Sequence, residues 1–87
     1  MKYRLELRPS AARAFKKLDP RTQRRVERKI DMLIDDPRPP GVKLLSSEDR
    51  IYRLRAGDFR ILYQVNDKVL VILVIAIGHR REVYRRA

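Results

Sequence analysis

Three arginines and a hydroxyl-bearing tail carry most of the chemistry this sequence offers. Arg53, Arg55 and Arg60 lie in the segment IYRLRAGDFRILYQV, and the chain ends in HRREVYRRA, where His79, Arg80, Arg81, Arg85 and Arg86 surround Tyr84. Guanidinium forks grip phosphate oxygens in a bidentate way that an ammonium cannot. A phenol among such cations sits in a positive field, which lowers its pKa and eases proton transfer. Cations beside a titratable hydroxyl are what cleavage of a phosphodiester needs. Taken by itself, Tyr84 reads equally well as an apolar anchor that works with Val83 to hold the tail.

A hairpin register brings the three arginines together. With Ala56-Gly57 as a two-residue loop, Arg55 faces Asp58, Leu54 faces Phe59, Arg53 faces Arg60, Tyr52 faces Ile61 and Ile51 faces Leu62. One sheet face then receives Tyr52, Leu54, Phe59, Ile61 and Tyr63. The other receives Arg53, Arg55 and Arg60, with only Asp58 in compensation. A slip of one residue would drive the arginines into the core, so the facing is well specified. Arg53 and Arg60 as direct neighbours, with Cβ atoms about 5 Å apart, repel each other. A phosphate or an acidic chain bound between them would offset that cost; arginines splayed into water are the alternative.

The rest of the composition sets the frame for these groups. The chain has 87 residues, with 22 Lys plus Arg against 11 Asp plus Glu, for a formal charge of +11. That length predicts a single domain over 1–87. Arginine outnumbers lysine among the basic residues, which puts nucleic acid first among partners, with an acidic protein or an anionic membrane surface as rivals. With no cysteine and one histidine, disulfide scaffolds, zinc ribbons and thiol catalysis are excluded. The longest apolar run, Val69 to Ile77, is far shorter than the roughly twenty residues a membrane-crossing helix needs. A folded, cytoplasmic, basic domain is expected.

The elements that must position the arginines follow from periodicity. Residues 2–8 alternate, with Tyr3, Leu5 and Leu7 on one side, and predict a half-buried strand that ends at Pro9. Ser10 reads as the N-cap of a short helix with the stripe Ala11, Ala14, Phe15 and Leu18. Asp19-Pro20 opens a longer helix with Val26, Ile30, Leu33 and Ile34 inward, closed by Asp36-Pro37. The outward faces of this hairpin carry Arg13, Lys17, Arg21, Arg24, Arg25, Arg28 and Lys29, which read as a solvated surface. Residues 37–49, rich in proline, glycine and serine, read as a loop. Three strands then run from Ile51 to Ile77, broken at Ala56-Gly57 and Asn66-Asp67, with the last one central and ended by Gly78. The expected fold is α+β, an antiparallel four-stranded sheet with the helix hairpin on one face, in the order β-α-α-β-β-β plus a short basic tail or helix.

The segments IYRLRAGDFRILYQV and IGHRREVYRR, with the opening strand, helix hairpin and proline-rich loop before them, resemble the RelE/ParE superfamily of toxins from toxin–antitoxin operons, the RelE branch in particular. The resemblance implies a ribosome-dependent mRNA endonuclease that cuts in the A site without metal or small-molecule cofactor, and an acidic antitoxin as partner. It implies a catalytic set of Arg53, Arg55, Arg60, Arg80 and Tyr84, with Arg81 as a substitute for Arg80, His79 as a second candidate base, and Arg85 among the RNA-binding residues. The branch's well-known members carry lysines where this chain has Arg53 and Arg55. An arginine cannot serve as a general base, so these two are expected to hold phosphate, with Tyr84 as base. Two alternatives stand beside this reading: a ParE-like inhibitor of DNA gyrase, and a basic RNA- or ribosome-binding module without catalysis.

Overall fold

The computed structural model describes residues 2–79. The elements run β1 (Arg4–Leu7), α1 (Pro9–Lys16), α2 (Pro20–Asp35), β2 (Lys43–Ser46), β3 (Ile51–Ala56), β4 (Phe59–Asn66) and β5 (Val71–His79). The sheet order is β1-β5-β4-β3-β2. From β2 to β5 neighbours are antiparallel, whereas β1 joins β5 in parallel. Both helices lie on one face of the sheet.

Two expectations about architecture are corrected here. The sheet has five strands and is mixed rather than four and antiparallel, because Lys43–Ser46, inside the segment read as loop, pairs with β3. It is a short edge strand with a register break between Leu44 and Ser46. Such a strand alternates too briefly to stand out among prolines and serines. The parallel pairing of β1 is the second difference: three reversals separate β2 from β5, and the strand that completes them runs alongside the first one.

Local start signals explain the helices. Pro9 both ends the opening strand and takes the first position of α1, whose N-cap is Arg8 with no side-chain cap. Ser10 is therefore inside the helix and not its cap. For α2 the expected signal holds: the Asp19 carboxylate accepts a hydrogen bond from the Thr22 N–H, Pro20 follows, and Asp36 is the C-cap. The Thr22 hydroxyl also donates to Asp19 at 2.6 Å, and these bonds hold the Asp19 carboxyl below its ordinary value.

The main core lies between helices and sheet. Val26, Ile30 and Leu33 of α2 and Ala11 of α1 pack on Leu54, Ile61, Tyr63, Val65, Ile72, Val74 and Ile77. Tyr63 is fully buried, and its hydroxyl donates to the Pro37 carbonyl at 2.7 Å; burial pushes its phenol well above the usual tyrosine range. The opposite face carries a smaller cluster of Leu62, Ile75 and Ala76, with Ile51 against it. No helix among the described residues is long and apolar enough to cross a membrane.

A polar strap ties the segment after α2 to the far end of the sheet. Arg38 grips Asp67 with both terminal nitrogens, at 2.7 and 3.3 Å, and donates through Nε to the Tyr52 hydroxyl at 2.9 Å. Tyr3 donates to the same carboxylate at 2.7 Å. Tyr52 stacks on Tyr63 with ring centroids 5.6 Å apart. The Arg38 guanidinium and Tyr3 hydroxyl together hold the Asp67 carboxyl below its ordinary value.

Candidate nucleic-acid interface

The β3–β4 hairpin turns on Gly57-Asp58, not on Ala56-Gly57. Gly57 takes a φ of +62°, and glycine with positive φ at the first of two loop positions is a favoured hairpin geometry. The register is therefore Ala56↔Phe59, Arg55↔Arg60, Leu54↔Ile61, Arg53↔Leu62, Tyr52↔Tyr63 and Ile51↔Gln64. Compared with the expected pairing, each partner moves by two residues. A two-residue shift preserves the faces, so the arginines still share one side of the sheet. What changes is who meets whom: Arg60 lies directly opposite Arg55, and Arg53 is its diagonal neighbour.

Two cross-sheet rows define the site. The first runs Arg55, Arg60, Gly78. Gly78 does not end β5, which continues to His79. The second runs Lys43, Arg53, Leu62, Ala76. Lys43 is the site residue that sequence reasoning missed, because it belongs to the strand read as loop. The second row continues into an apolar floor, with Leu62 and Ala76 buried beside Ile75.

The electrostatics of this face are unbalanced. The ion pairs among the described residues are Arg4–Glu6 and Arg38–Asp67, and neither includes Arg55 or Arg60. Arg60 Nε is buried and has no hydrogen-bond partner among the described residues. A buried donor left unpaired costs about 1–3 kcal/mol, and like charges directly opposite across strands add to that. An anion placed between Arg55 and Arg60 relieves the repulsion.

His79 lies elsewhere. It pairs with Phe59 and so shares that residue's side of the sheet, opposite to Arg55 and Arg60. Its ring meets the Phe59 ring edge-on, with centroids 5.3 Å apart. Arg80, Arg81, Tyr84 and Arg85 fall outside the described residues. The structure thus brings Arg53, Arg55 and Arg60 together, adds Lys43, and sets His79 on the other side. The second break also differs from expectation: instead of the two residues Asn66-Asp67, four residues, 67–70, link β4 to β5. The Asn66 carboxamide oxygen accepts from the N–H groups of Lys68 and Val69, and Leu70 takes a φ of +55°.

Comparison with known proteins places this arrangement. The family described as "ParE toxin of type II toxin-antitoxin system, parDE" matches residues 5–84. A protein of Escherichia coli described as a RelE-like toxin is 37% identical over all of this chain and 95% of its own length. The mRNA interferase toxin RelE of Escherichia coli K12 is 31% identical, also over all of this chain and 95% of its own. Among solved structures, the archaeal RelE-RelB complex from Pyrococcus horikoshii superposes with a TM-score of 0.83 at 30% identity, covering 93% of this chain and 98% of that one. Its sheet, helix hairpin and sequence thus make the chain a member of the RelE/ParE toxin superfamily, on the RelE-like branch.

Proposed function

We propose that this chain is the toxin of a type II toxin–antitoxin system and cleaves mRNA in the ribosomal A site. The observation that carries this reading is the Arg55–Arg60 pair, two facing guanidinium groups with no carboxylate partner among the described residues and a buried donor to spare. A relative named mRNA interferase toxin RelE supports the activity.

The reaction is attack of an RNA 2′-oxygen on the adjacent phosphorus. The 2′-hydroxyl proton goes to a base, the bond to the 5′-oxygen breaks, and that oxygen takes up a proton. A cyclic 2′,3′-phosphate and a 5′-hydroxyl result. Negative charge builds on the phosphorane, where Arg53, Arg55 and Arg60 stabilise it. Lys43, beside Arg53, adds a point charge to the phosphate site. Tyr84 serves as base and Arg80 holds the phosphate or assists the leaving oxygen, with Arg81 and Arg85 on the RNA backbone. His79, across the sheet from the arginines, is the weaker choice of base. In-line attack demands a splayed RNA, and the ribosome supplies that geometry.

An acidic antitoxin completes the system, as RelB does for RelE in the archaeal complex. With a net charge of +11, the chain attracts such a partner over long range. The activity is tested on ribosomes stalled with a defined A-site codon, comparing wild type with R55A/R60A. The wild type cuts the bound message and the double variant does not. Equal cutting by both would remove the arginine pair from the mechanism. One observation keeps a second reading alive: the matching family is described by ParE, which makes gyrase inhibition the rival activity.

A further inference from the structure

A second cationic surface lies on α2, across the molecule from the arginine face of the sheet. Arg21, Arg24, Arg25, Arg28, Lys29 and Met32 line a groove of about 550 Å³. At 3.6 residues per turn, the five cations occupy about 140° of helix circumference. The core residues Val26, Ile30 and Leu33 lie opposite. None of the five cations is in an ion pair among the described residues. Arg25 also reaches the β3–β4 turn: a Cβ on Gly57 would stand 2.5 Å from an Arg25 terminal nitrogen.

Charge density identifies the class of partner. Arg21 to Lys29 spans about 12 Å of helix axis at 1.5 Å per residue. A nucleic-acid duplex presents about seven phosphates over that length, at the DNA value of one charge per about 1.7 Å. An acidic helix with carboxylates every three or four residues on one face presents about three. Three carboxylates would leave two of the five cations unpaired, whereas seven phosphates can pair all five. Among the described residues the groove offers one apolar side chain, Met32, 49% exposed, whereas protein interfaces are built around apolar and aromatic cores. Among the same residues it has no aromatic side chain for stacking bases, as single-stranded RNA requires.

From these observations we infer that the α2 groove binds the sugar–phosphate backbone of double-helical RNA, as an anchoring surface separate from the face proposed to cut mRNA. The choice of RNA over DNA rests on that proposed activity. Duplex RNA is read mainly through backbone and shape, which suits a surface of guanidinium groups without base-reading amides.

The test measures binding of a short blunt RNA duplex to the full chain over a range of salt. The variants are R21Q/R24Q/R28Q, which keeps the side-chain stems, and R21A/R24A/R28A, each checked for an unchanged melting temperature. Loss of three phosphate contacts lowers the slope of log affinity against log salt by about 2 to 3 and weakens binding at least about tenfold at moderate salt. R13Q/K16Q/K17Q, which removes three cations from the end of α1 instead, keeps duplex affinity within about twofold. Because binding is read without cleavage, failure of the nuclease reading and failure of this one are distinguishable. An unchanged slope in both α2 variants overturns the inference. So does equal wild-type affinity for a DNA duplex of the same sequence, or a loss confined to a polyglutamate probe.

Discussion

At Arg60, folding and function pull in opposite directions. Its strand neighbours Phe59 and Ile61 face the helices, while Arg60 faces Arg55 across the hairpin with a buried Nε that has no hydrogen-bond partner among the described residues. Removing the guanidinium therefore relieves a repulsion and an unsatisfied donor. We predict that Arg60→Ala leaves the melting temperature unchanged or raises it. Cleavage of ribosome-bound mRNA should fall roughly 30- to 1,000-fold, the equivalent of about 2–4 kcal/mol of transition-state stabilisation. Parallel losses of stability and activity would mean that the side chain serves the fold. Tyr84→Phe is the matching test of the base: with the ring kept and the hydroxyl gone, cleavage should drop by about 10²–10⁴. Unchanged cleavage would leave Tyr84 as a packing anchor.

At the scale of elements, two devices set the geometry of the arginine face. The first is the Gly57 turn, where a positive φ disfavours any side chain and a Cβ would also displace the end of the Arg25 side chain. Gly57→Ala should cost about 1–3 kcal/mol of stability, measured by denaturant unfolding, and adding Arg25→Ala should recover only the steric part. Full recovery would show that backbone strain contributes nothing. The second is the strap through Arg38 and Asp67. Because the folded-state pKa of Asp67 is depressed, its stabilisation is present above the unfolded carboxylate value and is lost as pH falls below about 4. Asp67→Asn should therefore melt lower than wild type at neutral pH, with the gap closing in acid; a gap that persists there would place the effect outside this titration. These elements also show what sequence could reveal. Both helices, the buried Tyr63 and the shared face of Arg53, Arg55 and Arg60 were legible, because they depend on periodicity alone, and a hairpin register shifted by two leaves periodicity intact. The Arg55–Arg60 partnership was not legible, since it depends on which two of Ala56, Gly57 and Asp58 form the turn. Lys43 was hidden because a four-residue edge strand draws its definition from the strand it pairs with.

On the scale of the whole molecule, the chain separates apolar packing from cationic display. The helices cover one face of the sheet, and the other face keeps its arginines over the small floor of Leu62, Ile75 and Ala76. A formal charge of +11 on 87 residues drives association with polyanions and makes every such contact sensitive to salt. On the proposed function, the same field draws in an acidic antitoxin, which silences the toxin if it covers the Arg55–Arg60 pair. On that same proposal, this face acts on RNA held by the ribosome. Its most direct test sets the wild-type chain, in parallel, against mRNA on programmed ribosomes and against DNA gyrase in a supercoiling assay. If that proposal holds, the message is cleaved at the A-site codon and supercoiling is unaffected. Intact message together with stalled gyrase would contradict it.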